Sequence, residues 1–229
     1  MRMAISGIFD STDDVFGSFA SRNLDSMESI SRVRQQSQSC GACIELLSTT
    51  PLSCDFAAAK NCLWEVITEK QWPGTQSAFR LQTKETTLES VEFGFSIEFD
   101  DLEGAQVALD GVTFLQRRDE EHRTILVWTS IIEQEPTQLR FQSQGWIVVM
   151  KSRTEPQTAS VVRTCCRISV KSDDEHYKAL GGHDDSFSRK LQNAILRWMG
   201  QRVKCRVESV QQKLLERVGT PGSEALIFI

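Results

Sequence analysis

The stretch that decides the fold is "VEFGFSIEF", residues 91–99, in which every second residue is apolar. The apolar positions are Val91, Phe93, Phe95, Ile97 and Phe99. Strict alternation predicts a β-strand that turns one face toward a core and the other toward water. Three phenylalanines on one side can line a solid core or a hollow one, and the function depends on which of the two the protein builds.

Working outward from this stretch, the same period of two recurs along the middle of the chain. It predicts strands near residues 78–88, 90–99, 105–117, 123–133, 139–150 and 159–170. Consecutive strands on short connections predict an antiparallel meander. A further strand is predicted at residues 42–49, and Pro51 is expected to end it.

Two helices flank the meander. Residues 52–74 have apolar positions at helical spacing, with Ser53 as the expected N-cap and Pro73 as the stop. After the last strand, one apolar stripe is formed by Phe187, Leu191, Ile195, Trp198, Val203, Val207, Val210 and Leu214. This stripe predicts a helix of about 30 residues from Asp185 to Gly219, about 45 Å long at 1.5 Å per residue. The predicted class is α+β.

Three segments are expected along the chain. Residues 1–41 are polar and serine-rich, which predicts a leader that is partly helical or disordered. Residues 42–218 form the domain, and residues 219–229 form a C-terminal tail.

The composition of the chain argues against several classes of function and location. The chain has 229 residues and a net charge of −5, with a pI near 5.4, so we expect no nucleic-acid partner. The start of the chain lacks the apolar core of a secretory signal, and no stretch is apolar enough to span a membrane. Seven cysteines at irregular spacing fit reduced thiols. We therefore predict a soluble, intracellular protein of the cytoplasm.

Several short patterns carry a resemblance to a known family over residues 75–217. They are an acidic residue and an arginine before a strand that contains tryptophan, a Gly-Trp pair and a Thr-Cys pair: Glu120, Arg123, Trp128, Gly145, Trp146, Thr164 and Cys165. The region resembles the START-like domains that are numerous in oomycetes, including the mating-specific protein family. The resemblance implies a helix-grip fold, in which a curved antiparallel sheet of about seven strands wraps around a long C-terminal helix. The sheet and the helix together enclose an apolar cavity for a lipid or a similar ligand.

Together, alternation and the resemblance predict the lining of that cavity. The expected ligand-binding residues are Phe93, Phe95, Ile97, Val162, Thr164, Cys166, Leu191, Ile195 and Trp198. On the last strand, Arg163 and Arg167 are expected to point outward. On the predicted strand that begins at Arg123, odd-numbered and even-numbered positions both carry apolar residues. Alternation therefore leaves open whether Trp128 or Val127 points inward.

Cys40 and Cys43 have the spacing of half a zinc site or a redox pair, but the sequence offers no second pair, so we expect no metal and no cofactor. The sequence also shows no nucleophile-base pair, nucleophile elbow or phosphate loop. We therefore expect no catalysis.

The preferred interpretation is non-catalytic binding of a lipid or other hydrophobic small molecule in the cavity. One alternative is a ligand-free protein-interaction module on the same fold. Another is a cyclase-like enzyme, for which only Thr164 and Glu121 offer inward polar groups. The last helix carries a basic set: Arg189, Lys190, Arg197, Arg202, Lys204 and Arg206. These side chains are expected on a solvated face, or in transient contact with an anionic membrane surface.

Overall fold

The structure is a computed structural model. It describes residues 2–17, 28–35, 42–69, 79–100, 104, 106–137, 139–171 and 185–218. Four α-helices occupy this part of the chain: α1 (Arg2–Asp10), α2 (Thr12–Gly17), α3 (Phe56–Thr68) and α4 (Asp185–Val218). The strands are β1 (Glu28–Gln35), β2 (Ala42–Leu52), β3 (Phe79–Thr86), β4 (Ser90–Asp100), β5 (Gln106–Asp119), β6 (Arg123–Gln134), β7 (Leu139–Lys151) and β8 (Ser160–Lys171).

All the strands form one sheet in the order β1-β2-β8-β7-β6-β5-β4-β3, and every neighbouring pair is antiparallel. An antiparallel sheet that packs against a long terminal helix is the arrangement expected for a helix-grip fold, so the predicted α+β class is confirmed. The sheet has eight strands where about seven were expected. The additional strand is β1, an edge strand from the segment that was predicted as a leader.

The six strands of the meander lie where alternation places them, and Pro51 lies within β2 instead of ending it. The N-cap of α3 is Asp55 and not Ser53, because the Asp55 carboxylate accepts a hydrogen bond from the backbone N–H of Ala58 at 2.8 Å. A carboxylate at this position satisfies one of the N–H groups that a helix start leaves without a partner. The predicted C-terminal tail, residues 219–229, lies outside the described residues.

Both faces of the sheet are covered. Helices α3 and α4 pack on the inner face and form the larger core with it, whereas α1 and α2 pack on the outer face in a second core. Strands β6 to β8 are therefore apolar on both sides. This resolves the orientation that alternation left open: Trp128 packs on the inner side and Val127 on the outer side.

The N-terminal helices are fixed to the outer face by polar contacts as well as by burial. The indole N–H of Trp146 donates to the backbone carbonyl of Ile8 at 2.7 Å, and Ile8 is 4% exposed. Arg123, at the start of β6, forms ion pairs with Asp13 of α2 and with Glu120. The described part of the predicted leader is thus packed structure.

Within the described residues, no helix is both long enough and apolar enough to cross a bilayer.

Candidate ligand cavity

A cavity of about 160 Å³ lies between the inner face of the sheet and helices α3 and α4. It is similar in size to a cavity of about 150 Å³ that accommodates one benzene ring, and smaller than the roughly 300–1,000 Å³ of sites for drug-sized ligands. The sheet contributes mainly apolar side chains with several hydroxyl groups, and α4 contributes residues from Trp198 to Leu214. The inner face is therefore not completely filled by its own side chains.

The phenylalanines of β4 are part of the wall. Phe93, Phe95 and Ile97 all border the cavity and are each at most 5% exposed. Phe95 contacts two other rings, with centroids 5.5 Å from Phe79 and 5.9 Å from Phe93. Aromatic pairs at such separations add stability beyond their buried area. This cluster forms the end of the wall near the β3 edge.

Two glycines make room for the large inward side chains. Gly145 is paired with Trp128 across β6 and β7, and Gly111 is paired with Phe95 across β4 and β5. A Cβ atom at either position would overlap the ring of its partner. The aromatic rings therefore lie against the backbone of the neighbouring strand, which leaves open space above them for the cavity.

A row of hydroxyl groups crosses the middle of this wall. Thr113, Ser130 and Ser143 are directly opposite one another on β5, β6 and β7, and all three border the cavity. The Thr113 and Ser130 oxygens are 2.7 Å apart, so one hydroxyl donates to the other. We call these three residues the hydroxyl row. Its members are buried, which is costly for a hydroxyl unless it has a hydrogen-bond partner.

On β8, the predicted inward residues divide into two groups. Val162 and Thr164 border the cavity, whereas Cys166 is buried beside it, with its sulfur 3.7 Å from the Ser143 hydroxyl. Burial raises the pKa of the Cys166 thiol to about 12, so the thiol is neutral at physiological pH. Ser48 pairs with Thr164 from β2, and its buried hydroxyl has no hydrogen-bond partner among the described residues.

Of the α4 residues that were expected to line the cavity, only Trp198 does so. Its ring stacks on Phe99 with centroids 4.3 Å apart. Ile195 is fully buried in the inner core, and Leu191 packs against that core from a half-buried position, but neither borders the cavity. The reason is close approach: a Cβ at Gly200 would come within 2.9 Å of Ile44 on β2. The first half of α4 therefore packs directly on the sheet, and space opens beyond it.

The basic residues of α4 do not share one solvated face. Arg189, Lys190, Arg197 and Arg206 are exposed, as expected, but Arg206 also borders the cavity, and Arg202 borders it from a half-buried position. The Arg202 guanidinium lies over two rings, 5.0 Å from the centroid of Phe79 and 5.3 Å from that of Trp198. Burial lowers the pKa of both guanidinium groups, and that of Arg206 falls to about 9.

The second half of α4 is held by contacts with α3 and β2. Lys213 donates to the Glu69 carboxylate at 2.6 Å, and Arg217 pairs with the same carboxylate. The hydrogen bond to Lys213 is the largest cause of the lowered pKa of Glu69, and burial opposes it. The Gln211 amide donates to the Thr50 hydroxyl at 2.7 Å. We call Glu69, Lys213 and Arg217 the latch.

Other candidate groups lie away from the cavity. Glu121, considered for acid-base chemistry, is solvent-exposed and pairs with His122 at 3.7 Å. Cys43 is buried in β2, and Cys40 lies outside the described residues. The described residues contain no cluster of three potential metal ligands. The expectation that this chain binds no metal stays a prediction.

Comparison with known proteins finds structural similarity at low sequence identity. No family model and no curated protein matches the sequence. Among solved structures, human STARD10 is 10% identical over 90% of this chain and 80% of its own, with a TM-score of 0.46. An uncharacterised protein from Rhizobium leguminosarum is 13% identical over 82% of this chain and 99% of its own, with a TM-score of 0.36. A conserved protein from Geobacillus kaustophilus is 9% identical over 76% of this chain and 97% of its own, with a TM-score of 0.40.

Proposed function

We propose that this protein binds a hydrophobic small molecule, such as a lipid, in the cavity between the sheet and α4, and that it does so without chemistry. The observation that carries the proposal is the incomplete filling of the inner face. Aromatic and aliphatic side chains surround open space there. Gly145 and Gly111 leave room for two of the rings to lie against the sheet. Apolar concave sites with a few polar groups are typical of ligand binding.

The polar groups of the wall fit binding better than catalysis. The hydroxyl row and Thr164 offer hydroxyls, and no Asp, Glu or His is among the described residues that border the cavity. General acid-base catalysis needs a titratable group within hydrogen-bond reach of the reacting atoms. These groups can orient a ligand and fix its depth.

The proposal is tested by native mass spectrometry of gently purified protein and by uptake of the neutral probe N-phenyl-1-naphthylamine, whose fluorescence rises in apolar surroundings. We expect a small-molecule adduct or saturable probe uptake that Val207→Phe abolishes, because Val207 borders the cavity. A well-folded parent with neither adduct nor uptake would favour the ligand-free interaction module.

A further inference from the structure

We propose that the ligand is an amphipathic anion, an apolar molecule that carries one carboxylate group, and that Arg202 and Arg206 bind this carboxylate inside the cavity. The inference rests on the proposed function, because it specifies which hydrophobic molecules the cavity prefers. It goes beyond the START-like resemblance, which implies a cavity for a lipid or a similar ligand but specifies no charged head group.

The first support is the sign of the charge. The whole chain has a net charge of −5, yet the charged side chains among the described residues that border the cavity are two arginines. Arg202 is half-buried, and burying a guanidinium is costly unless the site returns hydrogen bonds and a counter-charge. An anionic ligand supplies both.

Arg202 is arranged to receive such a ligand. Its guanidinium lies over the rings of Phe79 and Trp198, and stacking of this kind uses the face of the group while its N–H donors point outward from the edge. Among the described residues, Arg202 makes no ion pair and donates no hydrogen bond. The two rings therefore fix the position of a cation whose donors are available to a ligand.

Arg206 lies one helical turn further along α4, on the same face. Side chains at positions i and i+4 of a helix are neighbours, about 5–6 Å apart at their Cβ atoms. One carboxylate can thus accept hydrogen bonds from both guanidinium groups. Arg206 borders the cavity and is exposed, so a ligand can reach its guanidinium. Arg206 is charged at neutral pH, because its lowered pKa is still about 9.

The opposite wall matches this chemistry. When Thr113 and Ser130 share one hydrogen bond, the accepting hydroxyl still has its own proton to donate, and a carboxylate oxygen is a strong acceptor. The cavity size favours a carboxylate over bulkier anionic head groups, since about 160 Å³ leaves little space beside the apolar chain. The apolar part of the ligand then lies against Phe93, Phe95 and Trp128.

The test compares hexanoate with 1-hexanol, which share a short apolar chain that suits a cavity of about 160 Å³ and differ in the head group. Affinities are measured by isothermal titration calorimetry at neutral pH, with quenching of tryptophan fluorescence as a second readout. We expect the unmodified protein to bind hexanoate at least about tenfold more tightly than 1-hexanol, since hydrogen bonds between charged partners are about twice as strong as neutral ones. In Arg202→Gln this preference should fall to less than about threefold, with the affinity for 1-hexanol unchanged.

Arg197→Gln is the matched control, because it removes the same charge from an exposed position on the same helix. It should leave the preference intact. Arg202→Lys keeps the charge and should keep most of the preference, which guards against a Gln variant that folds poorly.

Equal affinity of the unmodified protein for both probes overturns the inference but leaves the proposed function standing. A parallel loss of both probes in a folded Arg202→Gln also overturns it, because the arginine would then serve packing only. Binding of neither probe by the unmodified protein overturns the inference together with the proposed function.

Discussion

The indole of Trp128 lies against the backbone of Gly145, its partner on the neighbouring strand, in the space that any side chain at position 145 would occupy. We therefore expect Gly145→Ala to push the indole into the cavity and to lower the free energy of unfolding by about 1–3 kcal/mol, the usual cost of overpacking. Denaturant melting measures the loss, and tryptophan emission reports the displaced ring.

The matched control for that substitution is Gly7→Ala. Gly7 lies in α1, and a Cβ there would meet no atom within 4 Å. Alanine is the better helix former, so this variant should be neutral or slightly more stable. An unaltered melting curve and emission spectrum for Gly145→Ala would show that Trp128 does not depend on this glycine.

A pair of identical substitutions distinguishes the hollow core from the solid one. Val207 borders the cavity, whereas Val127 is fully buried in the outer core. We expect Val127→Phe to cost about 1–3 kcal/mol in stability, while Val207→Phe costs less because the cavity absorbs the added volume. The measurement is urea unfolding of both variants. Equal losses would indicate that the inner face is as tightly packed as the outer one.

The N-terminal helices should contribute directly to stability. Ile8 is 4% exposed between α1 and the sheet, so Ile8→Ala should lower the free energy of unfolding by about 2–4 kcal/mol through the cavity that it leaves. Ser6→Ala, at an exposed position of the same helix, should change stability little. Thermal melting of the two variants decides the matter, and a negligible effect of Ile8→Ala would mean that α1 is detached in solution.

The latch predicts that the stability of the fold depends on pH in the acidic range. The pKa of Glu69 is held below its ordinary 4.5 by Lys213 and Arg217, so the folded state binds protons less readily than the unfolded chain. The stability from these pairs is therefore complete above about pH 4.5 and is lost as the pH falls through the folded pKa. Because the pairs are partly exposed, we expect no more than about 1 kcal/mol.

Glu69→Gln tests the latch. This variant should be slightly less stable at neutral pH, and its stability should fall less steeply than that of the unmodified protein below pH 4.5. It should also exchange a cavity probe faster, since α4 is held less firmly over the cavity. Identical pH profiles for the two proteins would remove Glu69 from this role.

The thiols should differ sharply in reactivity. Cys205 is exposed on α4, whereas the buried Cys166 keeps its proton because its pKa is raised to about 12. The thiolate is the reactive form, so N-ethylmaleimide at neutral pH should modify Cys205 and leave Cys166 intact until the protein is denatured. Peptide mapping by mass spectrometry after brief labelling checks both sites, and rapid native labelling of Cys166 would contradict its burial.

Much of the sheet could be predicted from alternation, because a half-buried strand repeats every two residues whatever packs against it. This succeeded for β4, where Phe93 and Phe95 are buried and Glu98 is exposed. Alternation could not predict which face of β6 points inward. Helix α1 covers the outer face, so odd-numbered and even-numbered positions of β6 are both apolar. The pattern shows that both faces are buried but does not identify what covers them.

The cavity was harder to predict for a different physical reason. Helical periodicity places Leu191, Ile195 and Trp198 on one stripe, but which part of the stripe meets empty space depends on the close contact of Gly200 with Ile44. Periodicity also assigned Arg202 and Arg206 to a solvated face, because charged residues usually lie there. Only the three-dimensional packing reveals that Arg202 is half-buried and that both side chains border the cavity.

The hydrogen bond between Trp146 and Ile8 joins residues that are 138 positions apart in the chain. This separation determines when α1 can fold during synthesis on the ribosome. Helix α1 has nine residues, too few to be stable alone in water. It is translated long before β6 and β7, the strands that it covers, and therefore cannot fold as it emerges. During synthesis its apolar side chains stay exposed until the middle of the sheet exists, a period in which chaperones have a surface to bind and aggregation is a hazard.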